Sequence, residues 1–240
     1  MANTAVVLAG GEGRRLRPYT TVLPKPLLPV GDQSILEIIL RQLASSGFTE
    51  VVLAVGYLAE LIEAFAGDGS RFGIKVRYVR ESGKLGTAAP IARIGDLPDP
   101  VLVMNGDVLT DLDYSAILRH HESSGAMATV AVIRRALSIE FGVVETDEAG
   151  MLAELVEKPS LSHLISTGIN VLSAEAISMI PQEGQFDLPD LIHALKRADK
   201  PVAVFEMDGT WLDIGRPSDY EAALAELEAN PGRYLQPGKA

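Results

Sequence analysis

The sequence predicts an α/β protein built on a mixed, mainly parallel sheet flanked by helices. Three observations carry this reading. Apolar runs recur at Ala5–Ala9, Val51–Val55, Ile74–Val79, Val101–Met104 and Ala128–Ile133. Segments with helical patterning separate the first four, as in parallel strands joined by crossover helices. Polar, unusual segments follow three of those runs directly, at the strand ends where open parallel sheets bind ligands.

The first run, Ala5-Val-Val-Leu-Ala9, breaks off into Gly10, Gly11 and Gly13. Glycines so placed tolerate unusual dihedrals and let backbone N–H groups approach an anion. Arg14, Arg15, Arg17 and Lys25 follow, against the single acid Glu12, in a chain of net charge −11. A cationic loop on that background points to a polyphosphate ligand; a mobile Gly/Arg surface loop is the alternative. A dinucleotide fingerprint does not fit, because Leu16 stands where its third glycine belongs, and no lysine follows the second glycine as a P-loop requires. Pro24 and Pro26 bracket Lys25 and fix φ on both sides, which places its ammonium group reproducibly. A lysine on a cleft surface adds little to stability, so its removal is expected to leave folding nearly unchanged.

Ser34-Ile-Leu-Glu37 reads as a capping box opening an amphipathic helix with Ile35, Leu36, Ile39, Leu40 and Leu43 on its apolar side. Glu81 follows the third run, and Asn105-Gly106-Asp107 the fourth. A carboxylate at a strand's carboxyl end suits Mg²⁺, which takes one or two carboxylates plus phosphate oxygens. An Asx turn capping the next helix is the other reading of Asp107. Ser218-Asp-Tyr-Glu221 repeats the capping pattern before a terminal helix reaching about Ala229, and Pro231, Pro237 and Gly238 mark a frayed tail. His120, His121, His163 and His193 show no metal-ligand or triad spacing and read as solvated or capping residues.

Composition narrows the class. At 240 residues with 47% hydrophobic content, the chain can bury a substantial core. Mean hydropathy is +0.18, yet no run of about eighteen apolar residues occurs, which argues against a membrane span. The amino terminus lacks a basic n-region and a signal-like apolar core. The absence of cysteine rules out disulfides and thiolate metal sites and fits a cytoplasmic setting. A pI near 4.8 argues against nucleic-acid binding, which needs a broad basic surface.

Gly-Gly-x-Gly-x-Arg-Leu-x-Pro followed by Pro-Lys-Pro-Leu-Leu-Pro-Val resembles the signature of the sugar-1-phosphate nucleotidyltransferases, and similar segments recur to about residue 220. The resemblance implies a Rossmann-like, GT-A-like fold. Residues 1–240 are expected to form one domain, with a nucleotide-binding half over about 1–125. A sugar-phosphate half with the C-terminal helix covers about 126–230. It places Leu8, Ala9, Gly10, Gly11, Gly13 and Arg14 on the nucleotide, with Arg15, Lys25 and Asp107 as catalytic residues. Leu85-Gly-Thr-Ala88 resembles the family's base loop, which adds Gly86 and Thr87. Glu81 fits the position that reads the base edge. A carboxylate only accepts hydrogen bonds, which suits the adjacent N–H donors of guanine; a solvent-facing acid is the other reading. Asp107 and the Asp213 of Trp211-Leu-Asp213-Ile-Gly215 resemble the family's joint metal ligands. Gly142, Glu157, Lys158, Thr167 and Asn170 resemble its sugar-phosphate set.

The implied reaction joins an NTP and a sugar 1-phosphate into an NDP-sugar and pyrophosphate, with Mg²⁺ as cofactor. Ending soon after Trp211-Leu-Asp213-Ile-Gly215-Arg-Pro, the chain is similar to mannose- or heptose-1-phosphate guanylyltransferases and to small uridylyltransferases. UTP, CTP and dTTP therefore stay open as donors, as does self-association into a homo-oligomer. No C-terminal β-helix or allosteric domain is expected. A non-catalytic nucleotide-sugar-sensing relative is the rival reading, and it would be expected to lose the lysine or a metal carboxylate.

Overall fold

The computed structural model describes residues 3–81, 83, 85–230 and 232–234. The expected tail residues Pro231, Pro237 and Gly238 lie outside them. In chain order the elements are β1 (Asn3–Ala9), β2 (Pro29–Val30), β3 (Gln33–Ser34), α1 (Ile35–Ser45), β4 (Phe48–Val55), α2 (Ala59–Ala66) and β5 (Lys75–Arg80). There follow β6 (Val101–Asn105), β7 (Val108–Thr110), α3 (Tyr114–Ser124), β8 (Ala128–Ser138), β9 (Val143–Thr146) and β10 (Leu152–Val156). The chain continues with β11 (Ser160–Leu172), α4 (Ala174–Ser178), α5 (Leu188–Arg197), β12 (Val202–Met207), β13 (Trp211–Asp213) and α6 (Pro217–Ala229).

The central sheet has seven strands in the order β12-β8-β11-β6-β1-β4-β5. All neighbours are parallel except β11, which runs antiparallel to both β6 and β8. This is the mixed, mainly parallel sheet that the apolar runs predict. β6 pairs with β11 through Met104↔Ile169 to Val101↔Leu172, so the sheet continues across residue 125.

Core packing follows the sequence pattern closely on α1. Ile35, Leu36, Ile39, Leu40 and Leu43 are fully buried, and Ile38 joins them. Each such side chain contributes about 1.5–3 kcal/mol on removal from water. Ser34 caps this helix, its Oγ accepting from the Glu37 N–H at 3.2 Å, while the Glu37 carboxylate turns to Arg41.

Two local expectations fail. Among the described residues between β5 and β6 there is no α-helix, only one 3-10 turn at Ile91–Arg93. Pro90, Pro98 and Pro100 deny this segment helical donors. The last helix begins at Pro217, one residue before Ser218, and its N-cap is Arg216 with no side-chain cap. Proline at the first helical position supplies the preset φ and needs no N–H partner, so the serine falls inside the turn. The reciprocal capping box lies instead at the start of α5, between Asp187 and Asp190.

Beyond the central sheet, β8 and β11 continue as a two-stranded arm, Arg134–Ser138 against Leu164–Ser160, tipped by the β9–β10 hairpin. Every residue from Arg134 to Gly142 is exposed.

Candidate active site

The carboxyl ends of β1, β4 and β6 meet in a cleft of about 830 Å³. Backbone contacts build its floor: Gly106 N–H donates to Leu8 O at 2.8 Å, and Tyr57 N–H to Gly10 O at 3.1 Å. All the residues expected to bind nucleotide line this cleft: Leu8, Ala9, Gly10, Gly11, Gly13, Arg14, Glu81, Gly86 and Thr87. The expected catalytic residues Arg15, Lys25 and Asp107 line it too. Gly56 and Tyr57 also line it and escaped the sequence reading. Their signal was the one that revealed Gly10, an apolar run ending abruptly in glycine.

Glu81 crosses the cleft to lie over Gly10, where a Cβ would stand 2.6 Å from its Oε2. Only glycine permits that approach. The Glu81 side chain is half-buried, and desolvation raises its carboxyl above the ordinary glutamate range. It is therefore not the solvent-facing acid of the alternative reading.

The glycine loop is less cationic than its composition suggests, because Arg14 is engaged bidentately by Glu12 at 2.6 and 3.0 Å. Arg15 is exposed on the 3-10 turn Arg14–Leu16, which starts from Gly13. Lys25 differs from expectation. It is 8% exposed, its Nζ donates to Asp107 Oδ2, and it lies 3.9 Å from Asp213 Oδ1. Removing this lysine would strand the Asp107 carboxylate, so its loss is expected to weaken the fold, contrary to the sequence expectation.

Asp107 and Asp213 meet because β13 pairs antiparallel with β7, setting Asp213 opposite Val108, while Ile214 N–H donates to Asp107 O at 3.1 Å. Burial raises the Asp213 carboxyl, and the neighbouring Asp107 charge raises it further; Lys25 and Arg15 oppose them. Asp107 is no helix cap, since Asp113 caps α3 by accepting from Ser115 and Ala116 N–H. Asp107 Oδ1 is buried and has no hydrogen-bond partner among the described residues. An orphaned carboxylate oxygen beside a second carboxylate fits a divalent cation whose remaining ligands come from phosphate and water. Among the described residues no group of three or more His, Cys, Asp or Glu side chains forms a fuller metal cage.

A second cavity, of about 670 Å³, adjoins the first and shares Thr87 and Asn105 with it. Thr167, Asn170, Trp211 and Asp213 line it, as do Asp187, Asp190 and His193 of the α5 wall. Thr167 acts as a strut: its hydroxyl donates to Ala131 O at 2.9 Å, and its carbonyl accepts from Trp211 Nε1 at 2.8 Å. The other sugar-phosphate candidates stand elsewhere. Gly142, Glu157 and Lys158 are exposed at the arm and line neither cavity. Glu157 lies against Gly142, and Lys158 takes a left-handed φ of 46°.

One histidine departs from the solvated reading: His121 is buried with Nδ1 2.9 Å from Thr129 Oγ1, whereas His193 lines the second cavity but stays exposed. Burial lowers the His121 pKa. Its position four residues after Ile117, on the buried stripe of α3, was the available signal.

Comparison with known proteins identifies the family. A model of the nucleotidyl transferase family matches residues 4–230. A UTP–glucose-1-phosphate uridylyltransferase from Synechocystis is 34% identical over 98% of this chain and 67% of its own length. A mannose-1-phosphate guanylyltransferase from Mycobacterium tuberculosis is 35% identical over 93% of this chain and 64% of its own. The chain thus spans about two thirds of the length of these curated relatives. Among solved structures, HddC from Yersinia pseudotuberculosis superposes with a TM-score of 0.73 at 23% identity, covering 94% of this chain and 99% of that one. That likeness speaks for the fold. The same protein complexed with GMP-PN gives a TM-score of 0.72 at 22% identity. Among the described residues no helix is long and apolar enough to cross a membrane. With the family match spanning nearly its full length, the chain belongs to the nucleotidyl transferase family, among the sugar-1-phosphate nucleotidyltransferases.

Proposed function

We propose that the protein transfers a nucleotidyl group from an NTP to a sugar 1-phosphate, with GTP and a mannose- or heptose-type sugar favoured. One observation carries the reading. Lys25 and Asp107 line the first cleft and Asp213 the second, and the lysine stands between the two carboxylates where the cavities meet. Residues 1–240 are read as one unit, with the nucleotide half over about 1–125 and the sugar-phosphate half over about 126–230.

A phosphate oxygen of the sugar 1-phosphate attacks the α-phosphorus in line. The new P–O bond forms as the bond to the bridging oxygen breaks, and pyrophosphate leaves with that electron pair. The nucleophile is already an anion, so no general base is needed. Arg15 and the amides of the glycine loop hold the departing pyrophosphate, and Lys25 offsets charge growing at the transferred phosphate. Asp107 and Asp213 would hold Mg²⁺, which when bound supplies positive charge at phosphate oxygens. Among the described residues the lining of the second cavity holds no lysine or arginine, so Lys158 of the arm is assigned to the sugar phosphate. Glu157 and Gly142 accompany it, while Thr167 and Asn170 shape the sugar cavity.

Glu81 supports GTP, since a desolvated carboxylate accepts from guanine N1–H and N2–H₂ but faces an acceptor on uracil. Uridylyl transfer is the second reading, supported by the uridylyltransferase relative at 34% identity. A pyrophosphate-release matrix of five NTPs against several sugar 1-phosphates tests both. Fastest turnover with GTP and mannose or heptose 1-phosphate is expected; fastest turnover with UTP selects the second reading. No release from any pair leaves the non-catalytic relative standing.

A further inference from the structure

The two cavities share a wall to which the Asp187 carboxylate contributes. The loop Leu85–Ala89 contains no helix or strand. It is held by the chain entering α5: Phe186 N–H donates to Leu85 O at 2.8 Å, and Phe186 O accepts from Ala88 and Ala89 at 2.9 and 3.1 Å. Gly86 has φ +82°, and a Cβ there would stand 2.7 Å from Phe186 O. Side chains add a second layer of contacts. Asp187 Oδ1 accepts from the Thr87 N–H at 2.8 Å and from the Thr87 hydroxyl at 3.1 Å. Thr87 Oγ1 in turn accepts from Leu188 N–H at 2.8 Å. Both polar groups of Thr87 that could donate are thereby committed to α5, so Thr87 is a strut of the cleft wall. The same Asp187 closes the capping box of α5, its N–H donating to Asp190 Oδ2 at 2.9 Å.

Gln185 faces the nucleotide cleft, whereas Asp187, Leu188 and Asp190 face the second cavity. These hydrogen bonds make a shift of one side of the segment a shift of the other. A ligand that settles one side thereby sets the wall that the second ligand meets.

We propose that Asp187 is a positioning residue that couples nucleotide binding to sugar-phosphate binding by fastening the base loop to the start of α5. This rests on the assignment of the two cavities made above. The two ligands then tighten each other by the same factor, because coupling is reciprocal.

The test uses the NTP and sugar 1-phosphate that turn over fastest, with the NTP replaced by an analogue blocked at the α,β bridge. Calorimetry measures the analogue's Kd with and without the sugar 1-phosphate, then the reverse. The wild type should show about fivefold coupling or more in both directions. Asp187→Ala should lower the factor in both directions, since only the Phe186 backbone bonds then hold the loop. Asp187→Asn keeps an oxygen that can accept from Thr87 and a good helix cap, and should retain most of the coupling. Thr87→Val deletes the hydroxyl but leaves the capping box, so it should lose coupling even where Asp187→Ala does not fold. Full coupling in folded Thr87→Val and Asp187→Ala overturns the proposal, as does a wild type that turns over with a factor of one. A wild type that turns over no pair at all contradicts the functional reading itself, a separate result.

Discussion

The nucleotide cleft and the arm contain the same small device in two environments. In the cleft, the Glu81 carboxylate lies over Gly10, half-buried and with its pKa raised by desolvation. On the arm, Glu157 lies over Gly142, where a Cβ would stand 3.0 Å from its Oε2, and both residues are in solvent. The first pair is fixed by three parallel strands whose ends meet beneath it. The second sits on a ribbon whose side chains face water, including Phe141 at 77% exposure and Leu155 at 61%. Burial gives a carboxylate an acceptor role that water cannot easily replace; an exposed one acquires such a role only when a ligand excludes the water.

If the cleft is the chemical centre, Lys25→Ala produces the largest single-residue effect. It should lower kcat about 10²–10³-fold, the scale of losing one preorganised transition-state donor. It should also destabilise the fold by about 1–3 kcal/mol, because it strands Asp107 beside Asp213. That figure is below the one for a fully buried pair, since the Asp107 side chain is 25% exposed. Steady-state pyrophosphate release and thermal unfolding measure the two separately. Activity within a few-fold of wild type would remove Lys25 from the mechanism.

Base selection sharpens the contrast next. Glu81→Gln replaces one acceptor with a donor, and an unmet buried polar group costs about 1–3 kcal/mol, so preference should move roughly 5- to 150-fold from GTP toward UTP or dTTP. A pH effect accompanies it. Because the Glu81 pKa is raised, the carboxylate takes up a proton at a higher pH than an ordinary glutamate. The GTP preference in kcat/KM should therefore weaken as pH falls through that range, and Glu81→Gln should show no such trend. An unchanged ranking of GTP, UTP, CTP and dTTP in the variant leaves Glu81 without a role in reading the base.

The arm supplies the opposite probe. Lys158→Ala should raise KM for the sugar 1-phosphate about tenfold, the scale of one charged hydrogen bond, while KM for the NTP stays put. Equal KM values in variant and wild type would exclude the arm from the site.

The smallest effect belongs to the seam between the halves, where His121 of α3 meets Thr129 of β8. Burial lowers the pKa of His121, with Asp99 and Glu122 opposing and His120 adding to the shift. The unfolded chain therefore binds the proton more readily. Its contribution is complete above the unfolded pKa of about 6.5 and is lost as pH falls toward the folded value. Denaturant unfolding from about pH 7 to 5 should show wild type losing its advantage over His121→Asn. A constant difference would mean that His121 does not titrate between the two states.

Legibility in the sequence follows the same division. Gly10 and Glu81 were readable because each follows a buried apolar run, so the main chain alone brings them to one edge, and Lys25 because Pro24 and Pro26 fix its backbone. The meeting of Asp107 with Asp213 depends on the pairing of β7 with β13, two three-residue strands too short to announce themselves; family resemblance supplied it. The capping box at Asp187 and Asp190 lacks the usual Ser/Thr and Glu/Gln pattern, and its partner Thr87 is distant in sequence. The helix expected between β5 and β6 failed because its prolines outweigh its apolar spacing. The arm's faces are not specified by burial, so the sequence pattern there carried little about where Glu157 and Lys158 would stand.

A double-mutant cycle on Asp107 and Asp213 tests the centre most directly. Pyrophosphate release is measured for wild type, Asp107→Asn, Asp213→Asn and the double variant, across a Mg²⁺ titration. Two carboxylates holding one ion act as a unit, so either substitution should abolish most turnover and both together should cost little more. Losses that multiply independently, or turnover that survives thorough chelation, would contradict a shared ion at the junction of the two cavities.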